Sequence, residues 1–420
     1  MKKLLILGGI QTEINIVRQA KKMGVYTIVA DNNPGSPAKK HSDESVLMDV
    51  TNVDSVVDFC KRNKIDGIIS GYVDILLEPW RESCKELGLP CYLTSKMIKM
   101  STDKIFFKEN CTKYGIPVPT TYYCGGSLNE TVLKSINYPV FVKPLDASGS
   151  RGCGVCNNEE ELISQFNSAI CFSKTRNVVI EDYIEGVEFL LDYIGVDGDF
   201  TLLEMFDRRM SNDRGSARNY SNVSIAPSFG IDRFCSELDS KIKTMFRDMG
   251  FKDGLIFLQG HVCKDKIVLY EMGCRLGGSF IDLEQNVLGF NSVELLINHA
   301  LYGSMTNQTI DIPEKCASFK KICCVNNFLL KCEGDTVKRI VGLEKLSKDR
   351  NYISHFLLKD VGFKCMRDTI VDKPILSIFF SGNDIGSIRN SISYFNSVFD
   401  VFGENGDSLL MEKFDPKDLK

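Results

Sequence analysis

The residues best suited to bind a charged ligand begin with a lysine at the end of a buried apolar run. The segment YPVFVKP starts at Tyr138 and contains Lys143, and the loop DASGSRGCGV follows it from Asp146 to Val155. Backbone N–H groups can converge on an anion where side chains are absent, so the three glycines of this loop could form a phosphate cradle. The same composition also suits a flexible turn.

Acidic residues recur at the ends of later predicted strands. The segment NVVIEDYIEGVE, which ends at Glu188, reads as a strand, a short hinge and a second strand. A predicted hairpin beginning at Gly254 ends at Glu271, and Arg275 and a glycine pair follow it. Carboxylates bind hard cations and the arginine fork binds anions, so a metal and an anion could meet here. The acids of the first segment could also form a solvated strand edge.

The cysteines and histidines do not predict a metal centre. The sixteen cysteines are scattered through apolar segments, which favours reduced core thiols. Cys153 and Cys156 form a C-x-x-C that could be redox-active or half of a zinc site. No second C-x-x-C or paired histidines complete a metal set, so we interpret the two cysteines as small residues that fill the glycine-rich loop.

The first ninety or so residues predict a parallel α/β unit. Short apolar runs alternate with helical stretches: Leu4 to Leu7, Glu13 to Met23, Tyr26 to Ala30, Val53 to Asn63 and Gly67 to Ser70. Nearly all-apolar strands are typical of a sheet covered by helices on both faces. Gly8, Gly9 and Asp31 half-resemble a dinucleotide site, but no later glycine completes G-x-G-x-x-G, so NAD binding is not predicted.

The remaining chain predicts further units. A linking helix from Thr102 to Lys108 leads to the turn around Pro117 and Pro119, where a new domain should begin. Strand and helix signals alternate to about Gly303, and the β-rich runs that follow look like a separate, smaller unit.

Composition limits the class of protein. The net charge of -4 and the pI near 5.8 provide no broad cationic field for nucleic acid. The apolar run near the start is interpreted as a buried strand, because charged and polar residues follow it too soon for a signal peptide. No stretch reaches the roughly 18 apolar residues of a membrane helix. We therefore expect a cytoplasmic protein without nucleic-acid or membrane partners.

The order of these segments along the chain resembles that of the ATP-grasp superfamily. The chain from Lys3 to about Gly303 is similar to the carboxylate-amine ligase and carbamoyl-phosphate-synthase-like branch of that superfamily. The resemblance implies an α/β fold with a Rossmann-like pre-ATP-grasp domain at 1–95. A two-lobed ATP-grasp domain is expected at 96–305, with its small lobe at about 115–185. A small α+β C-terminal domain is expected at 306–420.

The resemblance also implies ATP and Mg²⁺ as cofactors and assigns roles by position. Lys104 and Lys143 would bind the phosphates, and Lys143 would also act in catalysis. The closing loop would bind nucleotide through Ser148, Gly149, Ser150, Gly152, Gly154 and Val155. The adenine and ribose would be bound by Glu181, by the hinge residues Asp182, Tyr183 and Ile184, and by Glu188.

The metal ligands implied by the resemblance are Glu271 and Gln259, and Arg275 would steady the transferred phosphate or the substrate carboxylate. Two positions depart from the family pattern. Gln259 stands where a glutamate is usual, and Gly273 stands where an asparagine is usual. Both changes remove oxygen ligands or negative charge, so one magnesium ion could bind firmly and a second only through the ATP phosphates.

The activity implied is the ATP-dependent joining of a small-molecule carboxylate to an amine through an acyl phosphate, with release of ADP and phosphate. The alternatives are a phosphotransferase or carbamoyl-phosphate-type enzyme, and an ATP-binding module without turnover. Substrate selection could involve Tyr72, Asp74 and the basic stretch from Arg208 to Arg214 with Arg218, although that stretch also suits a mobile surface loop. The protein could form a homodimer.

Overall fold

The computed structural model describes residues 1–147, 151–210, 220–278, 281–289, 291–306, 321–366 and 373–419. Four sheets organise these residues: a parallel N-terminal sheet, a small antiparallel sheet, a large antiparallel sheet and a two-stranded antiparallel sheet near the C-terminus. This architecture confirms the predicted α/β fold with a parallel N-terminal sheet. None of the helices in these ranges has the length and apolarity that a membrane crossing requires.

The N-terminal sheet is parallel and has the strand order β3-β2-β1-β4. Its strands are β1 (Lys3–Leu7), β2 (Tyr26–Asp31), β3 (Glu44–Leu47) and β4 (Gly67–Ile69), and its helices are α1 (Ile14–Lys22), α2 (Val53–Asn63) and α3 (Leu77–Leu87). The central strand β1 is almost wholly buried, as expected for a strand covered on both faces. Because β1 and β4 are parallel neighbours, the segments that follow them begin at the same edge of the sheet.

Two helices, α4 (Ser95–Thr102) and α5 (Lys104–Lys113), connect this sheet to the next one. The predicted linking helix is therefore divided: α4 ends at Thr102, and Asp103 caps α5 by accepting the N–H groups of Ile105 and Phe106. The division places Lys104 in the first turn of α5, where its side chain can reach the strands of the small sheet.

The small sheet is antiparallel and has the order β5-β8-β6-β7. Its strands are β5 (Thr121–Gly125), β6 (Val140–Pro144), β7 (Gly154–Cys156) and β8 (Val178–Asp182), and its helices are α6 (Glu130–Ser135) and α7 (Glu159–Phe172). Helix α7 packs on β6 and β7 and buries its own core cluster. Glu181 lies opposite Phe141 in the register, so it shares a sheet face with Lys143, two residues further along β6.

The large sheet has eight antiparallel strands in the order β13-β12-β9-β10-β11-β14-β17-β16. The strands of its first half are β9 (Val187–Val196), β10 (Asp199–Met210), β11 (Ser221–Ala226), β12 (Gly254–Val262) and β13 (Ile267–Gly273). Its helices are α8 (Ile231–Glu237), α9 (Asp239–Asp248), α10 (Ile281–Val287) and α11 (Ser292–Tyr302). The largest core cluster extends from the N-terminal sheet into this half, so the two regions are packed together.

The second half of the large sheet comes from the C-terminal part of the chain. Its strands are β14 (Ile322–Leu329), β16 (Tyr352–Leu357) and β17 (Pro374–Gly382), and β14 pairs directly with β11. The remaining elements are β15 (Arg339–Val341), α12 (Leu343–Leu346), α13 (Ile385–Val398) and β18 (Asp400–Phe402). The predicted C-terminal unit therefore continues a sheet that begins before residue 306, and the domain limits given above remain predictions.

The cysteines depart from the expected pattern at one pair. Cys332 and Cys365 form a disulfide, whereas the sequence favoured reduced thiols throughout. The two cysteines are 33 residues apart, and the bridge between Thr336 and Lys364 brings their segments together. Cys153 and Cys156 are both free, and Cys156 is buried in β7 as a small core residue.

Candidate functional site

Three charged side chains meet where α5 packs beside the small sheet. Glu181 is buried, and its Oε1 lies 2.5 Å from Nζ of Lys143. Its Oε2 accepts a hydrogen bond from Nζ of Lys108, which also donates to Oγ1 of Thr121 at 2.9 Å. Two cations share one carboxylate, so one positive charge is left in excess among the three side chains. An anion such as a phosphate would compensate it.

Burial and charge act in opposite directions on these groups. Burial would raise the pKa of Glu181, but the neighbouring charges of Lys143 and Lys108 hold it below its usual value. The pKa of Lys108 is lowered because burial, reinforced by the charge of Lys143, outweighs the attraction of Glu181. Lys108 was missed by the sequence reasoning. Its spacing of i, i+4 from Lys104 places both lysines on one face of α5 and was the available signal.

Lys104 reaches the start of the glycine-rich loop. Its Nζ donates to the carbonyl oxygens of Leu145 at 3.3 Å and Ala147 at 3.1 Å. Ser148, Gly149 and Ser150 lie outside the described residues. The partners of Lys104 among the described residues are therefore backbone carbonyls. A phosphate that binds Lys104 would not have to displace a carboxylate from them.

The described glycines of the loop are required by packing. Gly152 has φ +73°, and a Cβ there would lie 2.7 Å from the ring of Phe172. A Cβ on Gly154 would lie 2.4 Å from the side chain of Gln165. Val155 follows in β7 with its side chain partly exposed. Glycine at positions 152 and 154 therefore allows the side chains of neighbouring residues to pack against the backbone, in addition to any role in binding phosphate.

Cys153 marks the place where the predicted nucleotide residues converge. Burial raises the pKa of its thiol to about 11, and charges on Lys143, Lys104, Glu271 and Glu181 also act on it. The loop therefore lies within electrostatic reach of both lysines and of the acid at the end of the hairpin. Lys104 belongs to α5, Lys143 and Glu181 to the small sheet, and Glu271 to the large sheet, so charges from all three regions act on this loop.

The hinge residues make contacts within the lobe. The backbone N–H of Asp182 donates to Thr120 at 3.0 Å, and its carboxylate accepts hydrogen bonds from Tyr122 and from the N–H of Thr120. The side chain of Tyr183 is 40% exposed, and Ile184 is half-buried. These contacts fix the path of the hinge, and the predicted contacts with adenine remain predictions.

Glu188 forms an ion pair with Arg208. The two residues are opposite each other in the β9–β10 register. The sequence placed Glu188 with the ribose and Arg208 with the substrate, and the structure brings them together. Residues 211–219, which contain the rest of that basic stretch and Arg218, lie outside the described residues.

Gln259 and Glu271 face each other across the β12–β13 hairpin. Both side chains are half-buried, and both types provide oxygen ligands that suit Mg²⁺. Within the part of the chain that the structure describes, no group of three or more histidine, cysteine, aspartate or glutamate side chains could hold a metal. The pair therefore fits a cation whose remaining ligands come from phosphate and water.

Arg275 is held by a carboxylate from the N-terminal unit. Its Nε and Nη2 donate to the two oxygens of Asp74 at 2.5 and 2.9 Å, and its Nη1 donates to the carbonyl of Leu276. Asp74 lies just after β4, so this bidentate pair joins the parallel sheet to the large sheet. The sequence named Asp74 as a substrate contact, and in the structure it occupies the arginine fork as a substrate carboxylate could.

Glu13 is a buried acid near this pair that sequence reasoning did not identify. Its Oε1 accepts the N–H groups of Gly71 and Tyr72, each at 3.2 Å, while its Oε2 has no partner among the described residues. Burial raises its pKa to about 8, although both hydrogen bonds and the charge of Arg275 lower it. Glu13 therefore carries a proton in the folded protein at neutral pH.

Family models match two parts of the chain. Residues 103–281 match the model described as carbamoyl-phosphate synthase L chain, ATP binding domain, and residues 4–90 match the PylC-like, N-terminal domain. Residues 103–281 are therefore similar to the ATP-binding domain of the ATP-grasp type. The first model spans every residue assigned above to the nucleotide, the metal and Arg275.

Individual relatives of this chain are distant. It is 28% identical to the 2-oxoglutarate carboxylase small subunit of Hydrogenobacter thermophilus, over 54% of this chain and 51% of that protein. It is also 28% identical to the formate-dependent phosphoribosylglycinamide formyltransferase of Sulfurisphaera tokodaii, over 44% and 47%. The chain therefore spans about half the length of these relatives.

A solved structure extends the likeness of fold to almost the whole chain. The L-amino acid ligase from Bacillus licheniformis superposes with a TM-score of 0.75, covering 96% of this chain and 98% of that one, at 17% identity. The C-terminal region is therefore part of the shared fold. At this level of identity the likeness concerns the fold alone.

We predict that Glu13→Gln reduces the loss of stability that accompanies rising pH. The unfolded chain loses the Glu13 proton near pH 4.5, whereas the folded protein keeps it to about pH 8. The contribution of Glu13 to the free energy of unfolding is therefore fully present below pH 4.5 and is lost as the pH rises to about 8. The loss is a few kcal/mol at most. Urea unfolding at several pH values measures it. Glu109→Gln, at an exposed position, is the control, and equal slopes in Glu13→Gln and wild type would contradict the prediction.

We predict that Lys104→Met weakens binding of Mg-ADP by about ten- to a hundredfold, the range of a lost charge-assisted hydrogen bond. The melting temperature should change little, because the hydrogen-bond partners of Lys104 among the described residues are carbonyl oxygens. Titration calorimetry and thermal melting provide the two readouts. Lys99→Met is the matched control: Lys99 is on α4, and its ammonium group lies over the ring of Phe106 on α5. Unchanged affinity in Lys104→Met would remove this lysine from the phosphate site.

Proposed function

We propose that the chain is an ATP-dependent carboxylate-amine ligase, which forms an amide through an acyl phosphate and releases ADP and phosphate. The substrates would be a small-molecule carboxylic acid and an amine. The family and the fold support this proposal, and so does the arrangement of charged groups in the site. The roles of individual residues and the domain limits given above are part of the proposal.

One arrangement of charges supports the proposal: Glu271 acts electrostatically on the glycine-rich loop and also on Arg275. Its charge acts on Cys153 of the glycine-rich loop, beside Lys143 and Lys104, and on Arg275 at the other end. A γ-phosphoryl group in transfer needs cations on both sides of it, because its charge is spread over several oxygens. The carboxylate of Glu271 could bind the metal that accompanies the phosphates.

The proposed reaction has two steps. A carboxylate oxygen of the acid attacks the γ-phosphorus, and the bond from this phosphorus to the ADP oxygen breaks. The amine nitrogen then attacks the acyl carbon, phosphate leaves, and the nitrogen loses a proton. Magnesium, when bound, would neutralise phosphate charge during the first step.

The side chains of the protein would bind and orient the reactants. Lys104 and Lys143 would hold the phosphates, and Glu188 would accept the ribose hydroxyls. Arg275 would exchange Asp74 for the substrate carboxylate or the transferred phosphate. Closure of the loop after Lys143 would keep water from the acyl phosphate. No side chain needs to form a covalent intermediate.

A nucleotide-binding module without turnover is the second candidate. Gln259 and Gly273 favour it, because an amide and a glycine stand where the resemblance implies a charged and an amide ligand. One carboxylate, Glu271, is then the only negatively charged side chain of the proposed metal pair. The two candidates differ in a single observable, the release of ADP in the presence of substrates.

We predict that hydroxylamine traps the acyl phosphate. The protein is incubated with Mg-ATP, hydroxylamine and a panel of amino acids and dicarboxylic acids, and both hydroxamate and ADP are measured. The correct acid should give one hydroxamate per ADP, because an acyl phosphate reacts with any small nucleophile that reaches it. ADP release with a genuine substrate but without hydroxamate would favour the phosphotransferase reading, and no ADP release with any acid or amine would favour the non-catalytic module.

We predict that Gln259→Glu lowers the magnesium concentration needed for half-maximal nucleotide binding by roughly severalfold, since a second carboxylate adds charge to the metal pair. Magnesium titrations of ADP binding measure this even if turnover is absent. Gln285→Glu introduces the same charge on the exposed face of α10 and is the control. Identical magnesium dependence in Gln259→Glu and the control would mean that Gln259 does not contact the metal.

A further inference from the structure

Phe257 and Gly273 are direct neighbours on the sheet face that carries the proposed metal pair. They are opposite each other in the β12–β13 register, two residues from the opposed pair Gln259 and Glu271. Because side chains alternate along a strand, all four positions face the same side of the sheet. Position 273 could therefore point a side chain into the site, and it has none.

The ring of Phe257 occupies the space above Gly273. A Cβ at position 273 would lie 2.0 Å from Cε1 and 2.2 Å from Cζ of this ring. No positive φ is involved, so the constraint on Gly273 is steric. Any side chain at position 273, including one with an oxygen ligand, would require the ring to move.

The same ring lies beside the guanidinium of Arg275. The Cζ atom of Arg275 is 5.0 Å from the centroid of the Phe257 ring, within the range of a cation–π contact. The donors at the edge of the guanidinium are used by Asp74 and by the Leu276 carbonyl. The ring and the carboxylate thus restrain Arg275 through different parts of the group.

We propose that Phe257 is a positioning residue for Arg275, and that Gly273 is required because the ring needs the space above it. The proposal deepens the proposed ligase function and rests on it for the role of Arg275. An anionic reactant would compete with Asp74 for the donors of Arg275, whereas the contact with the ring can persist while these partners exchange. Position 273 thus provides no side-chain oxygen, and the space above it holds an aromatic ring that contacts the arginine.

The chain contains a matched control on the opposite face of the same sheet. Phe189 lies opposite Gly260, and a Cβ on Gly260 would lie 2.7 Å from the Phe189 ring. Phe189 is buried and packs against Phe234. Substituting Phe189 removes a comparable ring from the sheet without removing the ring beside Arg275.

The first test observes the guanidinium directly in the full-length protein. Arginine is labelled with ¹⁵N, and the Nε–Hε signal of Arg275 is assigned by its loss in Arg275→Lys. Phe257→Leu should shift this signal, because the adjacent ring current is removed, and Phe189→Leu should leave it in place. An unchanged signal in Phe257→Leu would overturn the proposal. Phe257→Met, which is closer in length, provides a second variant if Phe257→Leu does not fold.

The second test is a double-mutant cycle on stability. Gly273→Ala should lower the urea midpoint in the wild-type background, because Cβ collides with the ring, and should lower it less in the Phe257→Leu background. Equal effects in both backgrounds would show that the ring is not the reason for glycine at position 273. Neither this test nor the first depends on catalysis.

The third test separates this proposal from the proposed function. Phe257→Leu should reduce hydroxamate formation by about tenfold, the order expected for a desolvated cation–π contact, with affinity for Mg-ADP within about twofold of wild type. Phe189→Leu should retain most of the activity. If turnover in Phe257→Leu equals that of Phe189→Leu, the ring does not position Arg275 for the reaction. If wild type forms no hydroxamate at all, the ligase proposal fails, while the first two tests still decide the role of Phe257.

Discussion

The carboxylate of Glu181 holds two buried ammonium groups, and the small lobe is organised around this interaction. Lys108 comes from α5, Lys143 from β6 and Glu181 from β8, so the cluster joins a helix to the two central strands of the small sheet. Removing charges from water is costly unless they are paired, and here one carboxylate compensates only one of two cations. The fold therefore maintains an excess positive charge in a buried place, which an anionic ligand could compensate.

The guanidinium of Arg275 is a second cation that is paired with a carboxylate. Arg275 is paired with Asp74 from the N-terminal unit and packed against Phe257, so it too is paired before any ligand arrives. Under the proposed function, an anionic reactant would replace Asp74 at the guanidinium, so that Arg275 would remain paired. Glu13, which is protonated near neutral pH, adds no negative charge that would compete with Asp74 for the arginine.

The sequence predicted those parts of the structure in which the hydrophobic pattern of a segment matches its burial in the fold. Buried parallel strands such as β1 read as apolar runs, and the hairpin that brings Gln259 opposite Glu271 is visible in the strand pattern. Lys108 and Glu13 were missed because a charged residue in a helix is usually solvated, and only tertiary packing buries these two. The Cys332–Cys365 pair was missed for the same reason, because spacing alone cannot identify partners brought together by folding.

The pairing of β11 with β14 makes the C-terminal region a structural necessity for the nucleotide-binding half. A chain shortened after residue 306 would lose β14, β16 and β17 together and leave β11 as a bare edge strand with unpaired N–H and C=O groups. Such an edge is a template for intermolecular pairing, and apolar side chains such as Val223 and Ile225 would be uncovered beside it. The sheet that carries Gln259 and Glu271 can therefore be completed only after β17, at residues 374–382, has been synthesised.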